Sequence, residues 1–162
     1  MFTNANHLMW YFRFYLYAVN GILLEVIYTS LWELYFHGNV KLIGITSIYA
    51  IFIYGLSGMA NEKLHTIMKS SNIAIPIRGV VYTVWTIFWE FLCGNILEYF
   101  GACPWNYSSY TKYHINGLVA LEYAPLWFTV CLLWEQLLLR HMMYVYYYNS
   151  NTKSTISTQK VY

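Results

Sequence analysis

The stretch from Arg78 to Trp105, RGVVYTVWTIFWEFLCGNILEYFGACPW, decides the class of this protein. Its apolar part is long enough to form a helix that crosses the ~30 Å hydrocarbon core of a bilayer. It also carries a carboxylate at its middle, Glu90, and a second one near its end, Glu98. Because a charge at membrane depth is costly and is usually retained for a function, Glu90 is the first candidate functional residue.

The composition of the whole chain is typical of a membrane protein. Of the 162 residues, 59% are hydrophobic and 10% are charged, whereas soluble domains carry about 25% charged residues. The 18 Tyr and 7 Trp suit a chain that places rings at membrane interfaces. A formal charge of +2 without a clustered basic patch argues against a nucleic-acid partner. No Cys or His pair has metal-ligand spacing, so the sequence predicts no metal and no cofactor.

Four apolar stretches follow one another along the chain. They predict an all-α, polytopic integral membrane protein in which four transmembrane helices form two tandem helical hairpins. Residues 1–145 are expected to form a single membrane domain, and the polar residues 146–162 a disordered tail. Pro125 lies inside the fourth span and is expected to bend it. The predicted spans are about 13–36, 42–62, 78–100 and 117–139.

The distribution of basic residues predicts the orientation. Four spans place both termini on one side of the membrane, and seven of the nine Lys and Arg residues fall on that side. Only Lys41 and Lys112 fall on the other side. Since short cytoplasmic loops are enriched in Lys and Arg, both termini are predicted to be cytoplasmic. The segment 101–116 then lies outside or in a lumen, where Asn106 of the sequence Asn106-Tyr107-Ser108 is a candidate glycosylation site.

The first and third spans match when the chain is shifted by 65 residues. The second and fourth spans match more weakly at a longer offset, Gly44 with Gly117 and Ile48 with Leu121. The sequence therefore predicts two copies of one hairpin that run in the same direction through the membrane, as in the parallel repeats of some transporters. The matched pairs of the first and third spans are Arg13 and Arg78, Tyr17 and Tyr82, Val19 and Val84, Glu25 and Glu90, and Glu33 and Glu98.

Small and polar residues recur every three or four positions in both of these spans, so they share one face of each helix. Such residues allow close helix packing and hydrogen bonds in lipid, and we expect these faces to point into the bundle. In the third span the polar face comprises Thr83, Thr86, Glu90, Gly94 and Glu98. In the first span it comprises Ala18, Gly21, Glu25, Thr29 and Glu33.

Glu25 and Glu90 lie near the middle of the membrane in this prediction. Arg13 and Arg78 precede them by twelve residues, about 18 Å along a helix, and cannot pair with them directly. One hypothesis is that each carboxyl is neutral and hydrogen-bonded across the bundle. The other is that the two carboxyls relay a proton or cation, or line a polar cavity for a lipid head group.

The other acidic residues lie closer to the predicted interfaces. A structural role is favoured for Glu33, Glu98 and Glu122 at the outer interface. At the inner end, Glu135 is expected to pair with Arg140, which is five residues later, and Glu62 is expected to be solvated at a helix terminus. Gln136 accompanies Glu135 in the sequence Trp134-Glu135-Gln136.

Several short motifs over residues 10 to 141 carry a family resemblance. They are Tyr15-Leu16-Tyr17-Ala18 with Gly21 and Glu25, Trp32-Glu33, Gly44 with Thr46-Ser47, Phe52-Ile53-Tyr54-Gly55, Tyr82-Thr83, Trp85-Thr86, Trp89-Glu90-Phe91 with Gly94, Ala102-Cys103-Pro104-Trp105 with Tyr107-Ser108, Leu121-Glu122-Tyr123-Ala124, Trp127-Phe128, and Glu135-Gln136 with Arg140. By these motifs the chain resembles the transmembrane protein 229 family, which is grouped with bacterial membrane proteins labelled as type IV ABC-transporter permeases. Pro125 stands one place earlier than in that pattern, relative to Trp127.

The resemblance implies a multi-pass membrane protein, but no settled activity and no catalytic residues. The chain has no G-x-x-x-x-G-K-[ST] phosphate loop, so an ATP-driven role would need a separate ATPase subunit. The hypothesis we favour is a non-enzymatic membrane subunit whose polar helix faces pack against a second copy, a partner membrane protein or lipid. The alternative is a small permease-like transporter module, presumed dimeric, that uses Glu25 and Glu90. An intramembrane enzyme is disfavoured because the sequence shows no activated nucleophile or metal cluster.

Overall fold

The computed structural model describes residues 5–7, 9–142 and 146–148, with side chains described over 9–142. Within these residues the fold is mostly helical, and four main helices follow one another along the chain. The fourth helix continues through a π-helical turn, Glu135–Leu139, into the short α5, Arg140–Met142. The main helices are α1 (Trp10–His37), α2 (Ala50–Ser70), α3 (Ile75–Tyr99) and α4 (Ala124–Trp134).

Two short antiparallel ribbons complete the described structure. The strand β1 (Ala5–His7) pairs with β4 (Tyr146–Tyr148), and β2 (His114–Ile115) pairs with β3 (Val119–Ala120). The first ribbon corrects the prediction of a disordered tail from residue 146, because the backbone groups of 146–148 bond to those of 5–7. The remainder of the predicted tail, 149–162, lies outside the described residues.

The helices pair in the order of the chain. The most extensive packing is of α1 on α2 and of α3 on α4, and α2 also packs on α3. Each pair is antiparallel, since Tyr17 meets Gly58 while Gly21 meets Tyr54. We call the end of the bundle where α1 and α3 begin the terminus end, and the opposite end the loop end.

Two of the four predicted spans coincide with helices that could cross a membrane. By length and composition, α1 and α3 are the described helices long and apolar enough to do so. Their bounds lie within three residues of the predicted spans 13–36 and 78–100. Large apolar side chains cover the outside of the bundle, and Leu23, Val84 and Phe88 are each more than half exposed. An outer surface of this kind is suited to contact with lipid.

The second helix is shifted relative to its prediction. The span was predicted at 42–62, but the helix starts at Ala50 and ends at Ser70. The polar residues at its second half do not end it, because Asn61 and His65 are buried against neighbouring helices and Glu62 is paired. Residues 38–49 form a connecting segment with left-handed backbone at Gly38 and Leu42.

The fourth helix also starts later than predicted. Residues 117–123, assigned to the span 117–139, instead contain a turn, β3 and a three-residue 3₁₀ helix, Leu121–Tyr123. The helix begins at Ala124, so Pro125 stands in its first turn, where no intrahelical N–H donor is needed. The expected bend at Pro125 is therefore wrong, and the departure from regular α-helix is the π-helical turn at Glu135–Leu139.

Gly58 allows α1 and α2 to approach closely. A Cβ atom at Gly58 would lie 2.5 Å from Cβ of Tyr17, closer than two carbon atoms can pack. Gly58→Ala is expected to destabilise the protein by about 1–3 kcal/mol through overpacking, although Ala favours a helix more than Gly does. Thermal unfolding in one detergent measures the change. Lys63→Ala, at an exposed position of the same helix, is the control, and an equal effect in both variants would contradict the close packing.

Candidate functional site

A buried ion pair links α1 and α2 at the terminus end. The guanidinium of Arg13 binds Oε1 of Glu62, and the hydroxyl of Tyr17 donates to Oε2 of the same carboxylate at 2.7 Å. Tyr17 is 1% exposed. The prediction that Glu62 is solvated is wrong, because the extended α2 carries Glu62 alongside the first turns of α1.

A second buried ion pair links α3 to the π-helical turn that follows α4. Arg78 donates to both oxygens of Glu135, from Nη2 to Oε1 at 2.6 Å and from Nε to Oε2 at 3.3 Å. Arg78 Nη1 also donates to the carbonyl of Ile73 at 3.1 Å. Glu135 is 2% exposed, so this is a two-point pair of the strong kind. The predicted pair of Glu135 with Arg140 is wrong, since Glu135 faces the interior while Arg140 is exposed.

The two ion pairs occupy matching positions in the two hairpins. Arg78 follows Arg13 by 65 residues, and Glu135 follows Glu62 by 73 residues. These are the two offsets at which the first span matched the third and Gly44 matched Gly117. The spacing of Glu62 and Glu135 was therefore a signal in the sequence for partners that the sequence analysis did not assign.

His65 connects the two hairpins at the same end. From α2 its Nδ1 lies 3.1 Å from the hydroxyl of Tyr82 and 3.4 Å from Oε1 of Glu135. Burial lowers the pKa of His65, and the nearby carboxylate of Glu135 opposes this effect. The rings of Tyr17 and Trp134, 5.4 Å apart, make a second contact between the hairpins.

The two carboxylates predicted at mid-membrane each accept a hydrogen bond from a hydroxyl group. The hydroxyl of Thr46 donates to Glu25 Oε2 at 2.6 Å, and that of Tyr107 donates to Glu90 Oε1 at 2.7 Å. Thr46 and Tyr107 belong to the segments that connect the two helices of each hairpin. Burial, with Glu90 nearby, raises the pKa of Tyr107, so its hydroxyl stays protonated and can donate.

Tyrosines join these two carboxylates into one cluster. The hydroxyl of Tyr54, on α2, lies within interaction range of both Glu25 and Glu90. Tyr28 and Tyr123 lie beside each other and close to the same group. We call Glu25, Glu90, Thr46, Tyr54 and Tyr107 the central cluster. Among the described residues, no Lys, Arg or His forms an ion pair with either carboxylate.

The remaining predicted acidic residues stay apart from the central cluster. Glu33 lies 3.2 Å from Nδ1 of His37, one turn later on α1. Glu98 is exposed at the end of α3. Glu122 accepts the backbone N–H groups of Lys112 and Tyr113, at 2.8 and 3.2 Å, and so holds the outer segment in place.

The other predicted positions have packing roles or lie at the surface. Thr86 lies 3.5 Å from the sulfur of Cys131, between α3 and α4. Gly94 is buried, and a Cβ atom there would crowd Leu118 at 3.1 Å. Asn106 is exposed, and its side-chain oxygen accepts the backbone N–H of Ser108 at 2.9 Å.

The described groups hold and orient protons but do not form a reactive centre. No group of three or more His, Cys, Asp or Glu suited to a metal ion occurs among the described residues. Hydroxyl-to-carboxylate bonds in the central cluster and charge-balanced pairs at the terminus end both stabilise contacts between helices.

A comparison with protein families identifies one matching model over residues 12–161, which includes all the side chains of both sites. The description of that family reads "Putative ABC-transporter type IV". No solved structure matches the chain. The finer resemblance to the transmembrane protein 229 family stays a prediction.

Removing one partner of the Arg78–Glu135 pair is expected to be far more harmful than removing both. Arg78→Met leaves a buried carboxylate without its partner and is expected to cost about 3–5 kcal/mol, whereas Arg78→Met with Glu135→Met is expected to recover most of that loss. Chemical unfolding of the three proteins in one detergent measures the coupling. Arg140→Met is the control at an exposed arginine, and a double variant as unstable as the single one would contradict a direct pair.

The lowered pKa of His65 predicts how stability depends on pH. Because the folded state binds the His65 proton less readily than the unfolded state does, this contribution is full above the ordinary pKa of about 6.5 and is lost as the pH falls through the folded pKa. Thermal unfolding between about pH 7.5 and pH 5 is expected to show a fall in stability that is smaller in His65→Gln. The exposed His141, changed to Gln, is the control, and equal slopes in wild type and His65→Gln would refute the assignment.

Proposed function

The chain belongs to the type IV ABC-transporter family identified by that match, and from this membership we propose that it is a non-enzymatic membrane subunit. In this proposal its polar helix faces hold the two hairpins together, and its outer surface contacts lipid, a second copy or a partner membrane protein. The observation that carries the proposal is the engagement of the inward-facing carboxylates. Glu25 and Glu90 each accept a hydroxyl, and Glu62 and Glu135 each bind an arginine.

The proposal includes four membrane crossings. The helices α1 and α3 run in the same direction because α2 is antiparallel to both of them. If both cross the membrane, the chain must cross back between them, and α2 with the preceding connecting segment supplies that crossing. The helix α4 with its π-helical extension supplies the fourth. Both chain ends then lie on one side, and the excess of Lys and Arg on that side favours the cytoplasm.

The proposal also includes an internal duplication of the hairpin. It is supported by the recurrence of one arrangement at two places, in which an arginine and a tyrosine one turn later approach one glutamate. Arg13, Tyr17 and Glu62 form the first arrangement. Arg78, Tyr82 and Glu135 form the second.

The partner that the family membership favours is an ATPase subunit. The sequence contains no phosphate loop, and the described site contains hydrogen-bonded carboxylates in place of a nucleotide cradle. Energy from ATP would therefore reach this subunit only through a second protein. We accordingly propose no catalytic residue in this chain.

A second candidate function is a small permease-like module that uses Glu25 and Glu90. The observation that favours it is Tyr54, which interacts with both carboxylates and thereby joins the two hairpins at one place. A hydroxyl between two carboxyls can pass a proton or order a cation between them.

Flux through purified protein in lipid vesicles separates the two candidates. A membrane subunit of the first kind is expected to give no proton or cation flux above that of empty vesicles, while Glu25→Gln and Glu90→Gln change stability alone. Glu98→Gln, at an exposed glutamate, is the matched control. Flux that falls about tenfold in the first two variants and not in the control would overturn the first candidate and support the permease-like module.

A further inference from the structure

Three buried polar atoms have no hydrogen-bond partner among the residues that the structure describes. They are Nε of Arg13, Oδ1 of Asn61 and Nε2 of His65. Asn61 is 8% exposed and His65 is 3% exposed. An unsatisfied polar group at such a position costs about 1–3 kcal/mol. Buried polar groups in folded proteins are normally bonded to the protein or to an ordered water.

The three atoms lie in one region, at the terminus end of the bundle. Asn61 and His65 are one helical turn apart on α2 and therefore share a face of that helix. Arg13 binds Glu62, which directly follows Asn61 in the chain. His65 reaches across to Tyr82 and Glu135 of the second hairpin. The region is thus a junction between the hairpins.

The contacts of His65 determine which ring nitrogen carries the hydrogen. Nδ1 lies 3.4 Å from a carboxylate oxygen of Glu135, and an ionised carboxylate only accepts hydrogen bonds. Tyr82 lies beside the same carboxylate, so its hydroxyl can donate to Glu135. Nδ1 of His65 therefore carries the hydrogen, and Nε2 presents a lone pair to the buried region.

We propose that Asn61 and His65 form a buried site for one water molecule at the junction of the two hairpins. A water molecule has two O–H groups, which match the two acceptors Oδ1 of Asn61 and Nε2 of His65. Its oxygen can in turn accept from Nε of Arg13, which gives the three bonds usual for a buried water.

A neutral molecule suits this site better than an ion. The two arginines nearby are each balanced by a glutamate, Arg13 by Glu62 and Arg78 by Glu135. The charged groups that face His65 are Glu135, Arg78 and Lys69. The junction therefore supplies no net charge for an anion and no second carboxylate for a cation.

Solid-state NMR of the full chain in lipid bilayers, with ¹⁵N-labelled histidine, tests the site with water itself as the probe. The His65 signals are identified by their loss in His65→Gln. At neutral pH we expect Nδ1 to be protonated, Nε2 to be an unprotonated acceptor, and magnetisation to pass from water protons to the His65 ring. A protonated Nε2 beside an unprotonated Nδ1, or a ring that receives no magnetisation from water, would overturn the proposal.

Substitutions of Asn61 sharpen the test. Asn61→Leu removes the acceptor and fills the space, so the transfer from water to His65 is expected to be lost. Asn61→Ser keeps an oxygen and is expected to retain the transfer. Asn20→Leu is the matched control, because the side chain of Asn20 bonds only to the carbonyl of Leu16 in the described structure. Full transfer in Asn61→Leu would overturn the site, and if that variant does not fold, the wild-type spectrum decides.

Discussion

The buried pair of Arg78 and Glu135 is the contact on which most of the bundle depends. It joins α3 to the end of α4 through two hydrogen bonds, and Glu135 is also the group that His65 approaches from α2. One carboxylate thus connects three helices and both hairpins. A buried pair adds little net stability over an apolar contact of the same volume, but it strongly penalises any packing that separates its members. We interpret its role as fixing the register of the helices, including the π-helical turn that begins at Glu135.

The sequence predicted the class of fold and the helices that depend on apolar content alone. The helices α1 and α3 lie where their apolar runs predicted, because little besides length and hydropathy determines them. The bounds of α2 and α4 could not be predicted in this way. The polar second half of α2 is helical because Arg13 and Tyr17 satisfy Glu62, and α4 starts late because Pro125 is suited to a first turn. Both outcomes depend on contacts between helices or on local backbone chemistry.

The candidate site shows the same division. Glu25 and Glu90 were found from sequence because carboxylates are rare within apolar helices. Their partners Thr46, Tyr54 and Tyr107 were not, since Tyr and Thr are common in this chain and nothing in their spacing marks a contact. The ion pairs of Arg13 and Arg78 were within reach of sequence reasoning, because a repeat aligns partners as well as the residues themselves. Applying the second offset to Glu62 leads directly to Glu135.

The hydroxyls that bind Glu25 and Glu90 come from connecting segments, and this has a consequence for how the protein can be altered. Segments between helices normally tolerate epitope tags, fluorescent labels and insertions. Here a label near Thr46 or Tyr107 would pull a hydroxyl away from a carboxylate inside the bundle. The exposed Lys41 and Ser109 lie in the same two segments but make no side-chain hydrogen bond in the described structure. A reporter attached at those positions would follow the outer surface of the protein while leaving its interior wiring intact.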